Sequence, residues 1–229
     1  MEFKLPDTFA KVKIFSSEVS DGPMNRLLKE GRDSFRKFLK KIGANKPLAS
    51  GGQPHHSQIE IIKKSAFYLN ADGLLTKGDY VLAVKTADCI PLLLYDPETF
   101  LIGAIHVSRK NLISGIIGKS LKNSLKKLKT NPLSVKIFLG PHIRQKNYDL
   151  KEDSYRPLLG TKWESFLKNK NSKRYFDLTG AAIDELEAIG IIKDNIYDSK
   201  VDTFSSDMCF SARRSKGIVG VFATVIFKK

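Results

Sequence analysis

Cysteine is scarce in this chain of 229 residues, where Cys89 and Cys209 are the only two. Two cysteines cannot build the disulfide framework of a small secreted protein. No apolar stretch reaches the roughly 20 residues that a membrane-spanning helix needs, so we expect no such helix. Residues 1–7 lack the apolar core and small-residue cleavage site of a signal peptide. We therefore expect a cytoplasmic protein.

Internal repeats, low-complexity tracts and long linkers are also absent from the sequence. Repeat architectures and loosely tethered domains are therefore not expected. Hydrophobic residues make up 41% of the chain and charged residues 28%, which are proportions typical of a globular protein. The length suffices for one sizeable core. We predict a single domain over residues 1–229.

Negative charge is in the minority, because 24 Asp and Glu stand against 39 Lys and Arg, for a formal net charge of +15. Clustered lysines release counterions from phosphates, so nucleic-acid binding has to be considered. The densest basic run, residues 119–129, repeats Leu121, Leu125 and Leu128 at the spacing of an amphipathic helix. No aromatic residues interleave there to stack on bases. We interpret the run as a solvated face, with nucleic acid as the less favoured partner.

Hydrophobic periodicity predicts one helix near each end of the chain, strands between the helices and a final strand after the second helix. The helices are predicted over residues 23–42, with Leu27, Leu28, Phe35 and Phe38 on the apolar face, and over residues 177–189. The strands are predicted over residues 59–62, 80–85, 90–95, 101–105, 135–139 and 218–227. A turn sequence at 96–99 predicts a hairpin. Strands joined both by hairpins and by helices imply an α/β (α+β) fold, a layered domain with a mixed sheet flanked by helices.

Three short strings place reactive side chains beside predicted strand ends: Gln53-Pro54-His55, Thr86-Ala87-Asp88-Cys89 and Ile105-His106. Neutral imidazole and thiolate bind zinc or copper at neutral pH. Two histidines and one cysteine leave one metal position open, as a catalytic site requires. The predicted hairpin would bring Cys89 and His106 to one rim of the sheet. Taken alone, however, a histidine at a strand end is more often hydrogen-bonded, and a single cysteine is usually a core residue.

Six strings in a characteristic order resemble a known family. They are Gln53-Pro54-His55, Thr86-Ala87-Asp88-Cys89-Ile90-Pro91, His106, Gly140-Pro141, Asp177-Leu178 and Phe210-Ser211-Ala212-Arg213-Arg214. The family is that of the bacterial laccase-domain, or polyphenol-oxidase-like, proteins, and the resemblance extends over residues 10–228. Its members are mostly described as zinc-dependent purine nucleoside phosphorylases with adenosine deaminase activity. The chain is identified as a divergent member, and the resemblance implies that activity.

The resemblance also implies the composition of the active site. His55, Cys89 and His106 match the family's metal-binding residues, with zinc as the expected metal and copper as the alternative. Cys89 would thus be part of the catalytic centre. Asp88 would carry a proton or orient a ligand, with a turn-capping role as the structural alternative.

The expected partners are a purine nucleoside and phosphate, without a membrane and with no indication of an oligomeric state. Arg213, Arg214 and Lys110 would contact the phosphate, because guanidinium groups bind phosphate through forked donors. Lys110 stands in for an arginine of the family. Exposed turn charges are the structural alternative for the two arginines.

Several substrate-side residues depart from the family pattern. After the matching histidine the family has Ala-Gly-Trp-Arg-Gly, whereas this chain has Val107-Ser108-Arg109-Lys110-Asn111. Glu18 stands where the family has an arginine, and a carboxylate would repel phosphate. Ala212 replaces the tyrosine of the double-arginine segment. These changes keep open a degenerate member that binds a metal, a nucleotide or a partner without catalysis.

Two further catalytic classes stay open. Copper-dependent oxidation of phenols is the older description of the family, but multicopper enzymes need several sites and the sequence has four histidines. A pair of Cys89 and His106 would also serve as a covalent hydrolase without a metal.

Four other residues have structural roles as the main or an equal interpretation. His56 takes the position of a family glycine and matches a ligand less well than His55. Asp72 is either a turn residue or the counterpart of a family aspartate. His142 is predicted at the surface or at a pocket rim, and Cys209 is predicted in the core.

Overall fold

The structure, a computed structural model of the chain, describes residues 1–216 and 220–229. The strands are β1 (Val12–Ser16), β2 (Leu48–Gly51), β3 (Ile59–Ile61), β4 (Phe67–Tyr68), β5 (Gly73–Thr76), β6 (Val81–Thr86), β7 (Ile90–Asp96), β8 (Leu101–Val107), β9 (Lys136–Leu139), β10 (Asp149–Leu150), β11 (Leu167–Lys170), β12 (Lys173–Phe176), β13 (Ile196–Asp198) and β14 (Phe222–Lys228). The α-helices are α1 (Lys29–Lys41), α2 (Arg109–Ile113), α3 (Lys122–Lys127), α4 (Glu152–Tyr155), α5 (Leu178–Ala188) and α6 (Ala212–Ser215). A π-helical segment, Ile116–Leu121, leads directly into α3.

The central layer is a six-stranded mixed sheet in the order β13-β9-β7-β8-β5-β3. Its middle is the antiparallel hairpin of β7 and β8, in which Ile90 pairs with Val107 and Asp96 with Leu101. Asp96 stabilises the turn, because its carboxylate accepts hydrogen bonds from the backbone N–H groups of Glu98 and the residue after it. The predicted hairpin is confirmed.

A second sheet, in the order β1-β14-β6-β2-β4, packs on one face of the central sheet. Successive side chains of a strand point to opposite faces. On β7, Leu93 and Tyr95 therefore enter the core between the sheets, whereas Leu92 and Leu94 enter the core beneath α2, α3 and α5. Helix α1 covers the outer face of the second sheet. These layers agree with the predicted α/β layered fold with flanking helices, although the prediction had a single mixed sheet.

The first predicted helix begins later than the hydrophobic pattern indicates. Residues 23–28 are not helical, and α1 starts after an extended Leu28. Leu27 and Leu28, predicted on the apolar face, are 92% and 54% exposed. The guanidinium of Arg32 donates hydrogen bonds to the carbonyls of Arg26 and Leu27, which stabilises the preceding turn in place of another helical turn.

The other predicted elements agree closely with the structure. Asp177 caps α5 by accepting a hydrogen bond from the Gly180 N–H group at 2.9 Å. The basic run of residues 119–129 is helical over most of its length, with its leucines packed inward. Of the predicted last strand, residues 222–227 belong to β14, whereas residues 218 and 219 lie outside the described residues.

None of the helices within the described ranges is long and apolar enough to cross a membrane. A single domain over residues 1–229 stays a prediction.

Candidate active site

The predicted metal-binding side chains come from two paired strands and one loop. Cys89 directly precedes β7, and His106 is the penultimate residue of β8. Antiparallel pairing places Pro91 opposite His106, so Cys89 and His106 lie at the same end of the sheet. His55 comes from the loop between β2 and β3. The fold thus brings together residues that are far apart in the sequence.

Asp72, which directly precedes β5, holds the His55 loop against this end of the sheet. Its carboxylate oxygens accept hydrogen bonds from the backbone N–H groups of His55 and His56, at 2.8 and 2.7 Å. His55 has a φ of 64°, a left-handed conformation that is uncommon outside glycine. The hydrogen bonds to the buried Asp72 offset the strain of this conformation. Asp72 is therefore a positioning residue of the site.

The imidazole rings of His55 and His106 are in edge contact, with their centroids 4.7 Å apart. Ser108 Oγ lies 2.8 Å from His55 Nδ1 and orients that ring. Partial burial and the neighbouring His106 lower the pKa of His55, so its ring is neutral at pH 7. A neutral imidazole is the form that binds a metal ion.

His106 is 4% exposed, and its ring is next to the Asp72 carboxylate and the Cys89 thiol. Its Nδ1 atom is 3.6 Å from Asp72 Oδ1. Burial disfavours the charged ring, but the charges of Cys89 and Asp72 outweigh burial and raise the pKa of His106 to about 9. The metal-free ring is therefore protonated at pH 7, and metal binding through it would release a proton. A thiol beside an imidazolium is also the arrangement of a metal-free cysteine nucleophile.

The types of donor at this end of the sheet suit zinc or copper, since two imidazoles and one thiol are neighbours. Within residues 1–216 and 220–229, however, no three His, Cys, Asp or Glu side chains are arranged so that they could hold a metal ion. In that part of the chain the buried His106 Nδ1 has no hydrogen-bond partner, since Asp72 Oδ1 is 3.6 Å away. Metal binding by His55, Cys89 and His106 would require their side chains to turn, and it stays a prediction.

Asp88 connects the strand end to the C-terminal segment. Thr203 Oγ1 donates a hydrogen bond to Asp88 Oδ1 at 2.6 Å, and the Arg213 backbone N–H group donates one to Oδ2 at 2.7 Å. The Asp88 carboxylate is buried, and both of its oxygens accept hydrogen bonds. These contacts make Asp88 a positioning residue, whereas its proton-carrying role stays a prediction.

The two arginines predicted to bind phosphate have different surroundings. The Arg214 guanidinium donates hydrogen bonds to four backbone carbonyls, those of Thr203, Phe204, Ser206 and Cys209. Arg213 Nη1 instead donates to the backbone and carboxylate oxygens of Asp149, at 2.7 and 2.6 Å, and its guanidinium carbon is 5.4 Å from the Tyr148 ring centroid. Arg214 therefore fixes a loop, and Arg213 has more donors left for a ligand.

Tyr148 and Arg109 are site residues that the motifs did not reveal. Burial and the charge of Cys89 raise the pKa of Tyr148, while the charge of Arg109 and its hydrogen bond oppose the rise. Tyr148 therefore lies near Cys89, and Arg109 lies beside Tyr148. In the described part of the chain Arg109 Nε is buried without a hydrogen-bond partner. Arg109 stands at a position where the sequence departs from the family motif, so the motif did not indicate it, although it adds a charge to the site.

Lys110, the third residue predicted to bind phosphate, is exposed. Its charge contributes to the lowered pKa of His55, which places it on the same side of the site as that ring.

Outside the site, the prediction for Cys209 is confirmed and the prediction for His142 is wrong. Cys209 is fully buried, as predicted for a core residue. His142, predicted at the surface or at a pocket rim, is also fully buried. Its Nδ1 and Nε2 atoms lie 2.7 Å from the Gly140 carbonyl and from Thr179 Oγ1. The partner from α5 is distant in the sequence, and for that reason the local pattern did not indicate burial.

Comparison with known proteins identifies the family. A sequence model described as "Multi-copper polyphenol oxidoreductase laccase" matches residues 28–229. The chain belongs to this family. The curated "Purine nucleoside phosphorylase" of Borreliella burgdorferi is 31% identical to this laccase-family protein over 205 residues, 84% of this chain and 83% of the relative. The protein of the same name from Deinococcus radiodurans is 30% identical over 175 residues, 76% of this chain and 67% of the relative. The predicted family membership is confirmed.

Solved structures share the architecture of this laccase-family protein. The structure of YlmD from Geobacillus stearothermophilus has a TM-score of 0.87 at 22% identity, with 98% of this chain and 94% of that chain covered. The hypothetical protein YfiH from Bacillus licheniformis has a TM-score of 0.84 at 20% identity, with 96% and 94% covered. At these identities the likeness concerns the fold, and it confirms the predicted α/β fold class.

Proposed function

We propose that this laccase-family protein is a purine nucleoside phosphorylase that also deaminates adenosine. The observation that carries the proposal is the meeting of His55, Cys89 and His106 at one end of the β7–β8 hairpin. The names of the curated relatives supply the reaction class. A purine nucleoside and phosphate are the proposed substrates.

Zinc is the proposed metal, with His55, Cys89 and His106 as its ligands. A zinc ion held by them would act as a Lewis acid. Copper, which accepts the same ligand types, is the alternative. Asp72 would support this arrangement through the backbone of His55 and the ring of His106.

Phosphorolysis replaces the bond between the base and the ribose with a bond between the ribose and phosphate. Cations must hold the incoming phosphate, and Arg109, Lys110 and Arg213 lie around the site. Arg109 is the strongest candidate, because a phosphate oxygen would supply the hydrogen-bond partner that its buried Nε lacks among the described groups. Arg214 would support the loop instead, since backbone carbonyls already occupy its donors.

The departing purine also needs a proton. Tyr148 lies near Cys89 and carries a hydroxyl proton at neutral pH, although its raised pKa makes it a weaker acid than a free phenol. We assign the role of proton donor to Tyr148. Asp88 would position Arg213, because it accepts a hydrogen bond from the Arg213 backbone N–H group.

A covalent hydrolase without a metal is the second candidate, because the pKa of about 9 makes His106 a cation beside Cys89. In that reaction Cys89 would be the nucleophile and His106 would donate a proton to the leaving group. This candidate needs neither zinc nor phosphate.

The deciding experiment is product analysis of protein of known zinc content after incubation with adenosine, inosine and guanosine, with and without phosphate. Free base plus ribose 1-phosphate, formed only in the presence of phosphate, is the expected result. Inosine formed from adenosine without phosphate would establish the deaminase. Hydrolysis by metal-stripped protein would favour the covalent hydrolase, and no product from zinc-bound protein would favour a non-catalytic binding protein.

Two neighbouring histidines provide a matched pair of variants. The backbone N–H groups of His55 and His56 both donate to Asp72, so replacing either side chain preserves the anchoring of the loop. His55→Gln should lower zinc occupancy and reduce kcat/KM by about 100-fold, because it removes a ligand. His56→Gln should stay within about twofold of the unsubstituted protein. Equal losses in the two variants would contradict the assignment of His55.

A further inference from the structure

A basic pocket lies between α1 and the outer face of the second sheet, with a volume of about 240 Å³. Its cations are Arg26, Arg32, Arg36 and Lys85, and its lining within the described residues contains no carboxylate. Phe35 forms an apolar wall and Ser50 adds a hydroxyl group. The lining includes none of the candidate active-site residues. The pocket is therefore a separate concentration of positive charge.

Lys85 is the half-buried member of this set, whereas the three arginines are exposed. The Lys85 ammonium lies 4.6 Å from the centroid of the Phe35 ring. Burial and the charge of Arg26 lower the pKa of Lys85 to about 8, and among the described residues no carboxylate contributes an opposing effect. Because a partly buried cation without a counter-ion is unfavourable, an anion bound beside Lys85 would stabilise it.

The arginines of the rim are held in place but keep donors for a ligand. The Arg26 guanidinium carbon lies 3.4 Å from the centroid of the Phe67 ring, a cation–π contact. Arg32 uses Nη1 for backbone carbonyls, and Arg36 uses Nη1 for an exposed ion pair with Asp33. Since each guanidinium has five N–H donors, most of them remain for an anion.

We propose that this pocket binds a small phosphorylated metabolite, with Lys85 and the rim arginines around its phosphate and Phe35 against its carbon skeleton. Guanidinium groups match phosphate oxygens through paired donors, and an ammonium contributes a point charge. Pockets for drug-sized ligands begin at roughly 300 Å³. The smaller volume of this pocket therefore favours a compact phosphate monoester, such as a sugar phosphate.

Gln53 connects the pocket to the His55 loop. Gln53 Nε2 donates a hydrogen bond to the Lys85 carbonyl at 2.5 Å, and the Lys85 N–H group donates one to Gln53 Oε1 at 2.9 Å. Like His55, Gln53 has a left-handed backbone conformation, with a φ of 61°. Both hydrogen bonds use the backbone of Lys85, so they fix the start of the His55 loop on β6 and leave the Lys85 ammonium free for a ligand. Binding at the pocket is independent of the proposed reaction.

The test is isothermal titration calorimetry of the full chain with ribose 5-phosphate at low salt, with ribose and inorganic phosphate as comparison ligands. We expect ribose 5-phosphate to bind at least about ten times more tightly than inorganic phosphate, and ribose not to bind. Lys85→Gln should weaken binding of the ester by about tenfold or more, and Arg36→Gln by several-fold. Arg156→Gln is the matched control, because Arg156, like Arg36, is an exposed arginine paired with a carboxylate on its own helical segment.

Unchanged affinity in both Lys85→Gln and Arg36→Gln would overturn the proposal, as would absence of binding to the unsubstituted protein. Equal affinities for the ester and for inorganic phosphate would show a site for the free ion and would reject the proposed ligand class. If Lys85→Gln fails to fold, Arg36→Gln decides, because an exposed side chain can be replaced without disturbing the core. If the unsubstituted protein binds ribose 5-phosphate but forms no product from nucleosides, only the proposed reaction is rejected.

Discussion

Two buried histidines, at opposite extremes of charge, distinguish the candidate site from the core beside it. His106 is 4% exposed and His142 is 0% exposed. Despite burial, Cys89 and Asp72 raise the pKa of His106 to about 9, whereas burial and the charge of Arg144 lower the pKa of His142 to about 4. Burial alone therefore does not set the charge of a histidine.

The hydrogen-bond partners explain the difference. A carbonyl can only accept, so His142 Nδ1–H donates to Gly140 O, and the neutral Nε2 accepts from the Thr179 hydroxyl. His106 has a carboxylate 3.6 Å from Nδ1 in place of such a pair. Neutral hydrogen-bond partners keep His142 uncharged. The Asp72 carboxylate and the Cys89 thiol keep His106 protonated, so that its ring can release a proton when a ligand binds.

Asp72→Asn would test why His106, unlike His142, is charged. Of the proposed variants it has the largest expected effect. The substitution removes the buried charge beside His106 and weakens the anchoring of the His55 loop. We expect the free energy of unfolding to fall by about 3–5 kcal/mol, because two charge-assisted hydrogen bonds to the His55 loop and the attraction for the His106 ring are weakened together. We expect activity to fall by about 100-fold, because a positioning residue is lost.

Chemical denaturation and NMR titration of the metal-free Asp72→Asn protein would check this prediction. The pKa of His106 should drop towards its ordinary value. An unchanged His106 titration would contradict the role assigned to Asp72, whatever happens to the activity.

The pH dependence of the free energy of unfolding tests whether His142 is neutral in the folded protein. The pKa is about 4 in the folded protein and 6.5 when unperturbed, so between these values the unfolded chain binds the proton more readily. The contribution of neutral His142 is therefore complete above pH 6.5 and is lost as the pH falls to about 4. The expected loss between pH 7 and pH 4.5 is about 2.5 kcal/mol, measured by urea unfolding at these two pH values.

His142→Gln isolates this effect, because its side chain does not titrate. The lowered pKa of His55 acts in the same direction in both proteins, so the difference between their pH profiles belongs to His142. Parallel profiles would contradict the assignment. His106 has the opposite dependence, since its contribution is present below pH 6.5 and is lost as the pH rises through about 9.

Thr179→Val is the smallest of the changes. It removes the donor to His142 Nε2 and leaves a buried acceptor without a hydrogen bond. We expect a loss of about 1–2 kcal/mol in the free energy of unfolding. Thr179→Ser keeps the hydroxyl group and should lose less, and equal stabilities of the two variants would show that the hydrogen bond contributes nothing.

The predictable part of the fold consists of elements with a strong local signal. The β7–β8 hairpin combines two apolar runs with an Asp-Pro turn, and α5 has an aspartate cap and a following glycine. The first helix shows where such signals fail. Leu27 and Leu28 fit the apolar period, but Arg32 stabilises a turn there, and both side chains lie exposed.

The candidate site also consists of residues that the sequence indicated and residues that it did not. The resemblance to the family implied His55, Cys89 and His106 as site residues, and hairpin pairing explains why two of them are neighbours. Arg109 and Tyr148 carried no motif, because their importance comes from their positions relative to Cys89.

Local sequence accounts for the apolar strands, the hairpin and the reactive side chains at its ends, because periodicity and turn chemistry act over a few residues. Charge states depend on long-range contacts instead. Asp72 and Cys89 make His106 cationic, whereas Gly140 and Thr179 keep His142 neutral. The pairing of Lys85 with Gln53 is likewise a contact between different strands and loops. Such effects depend on distance and burial, which the packed layers of the fold establish.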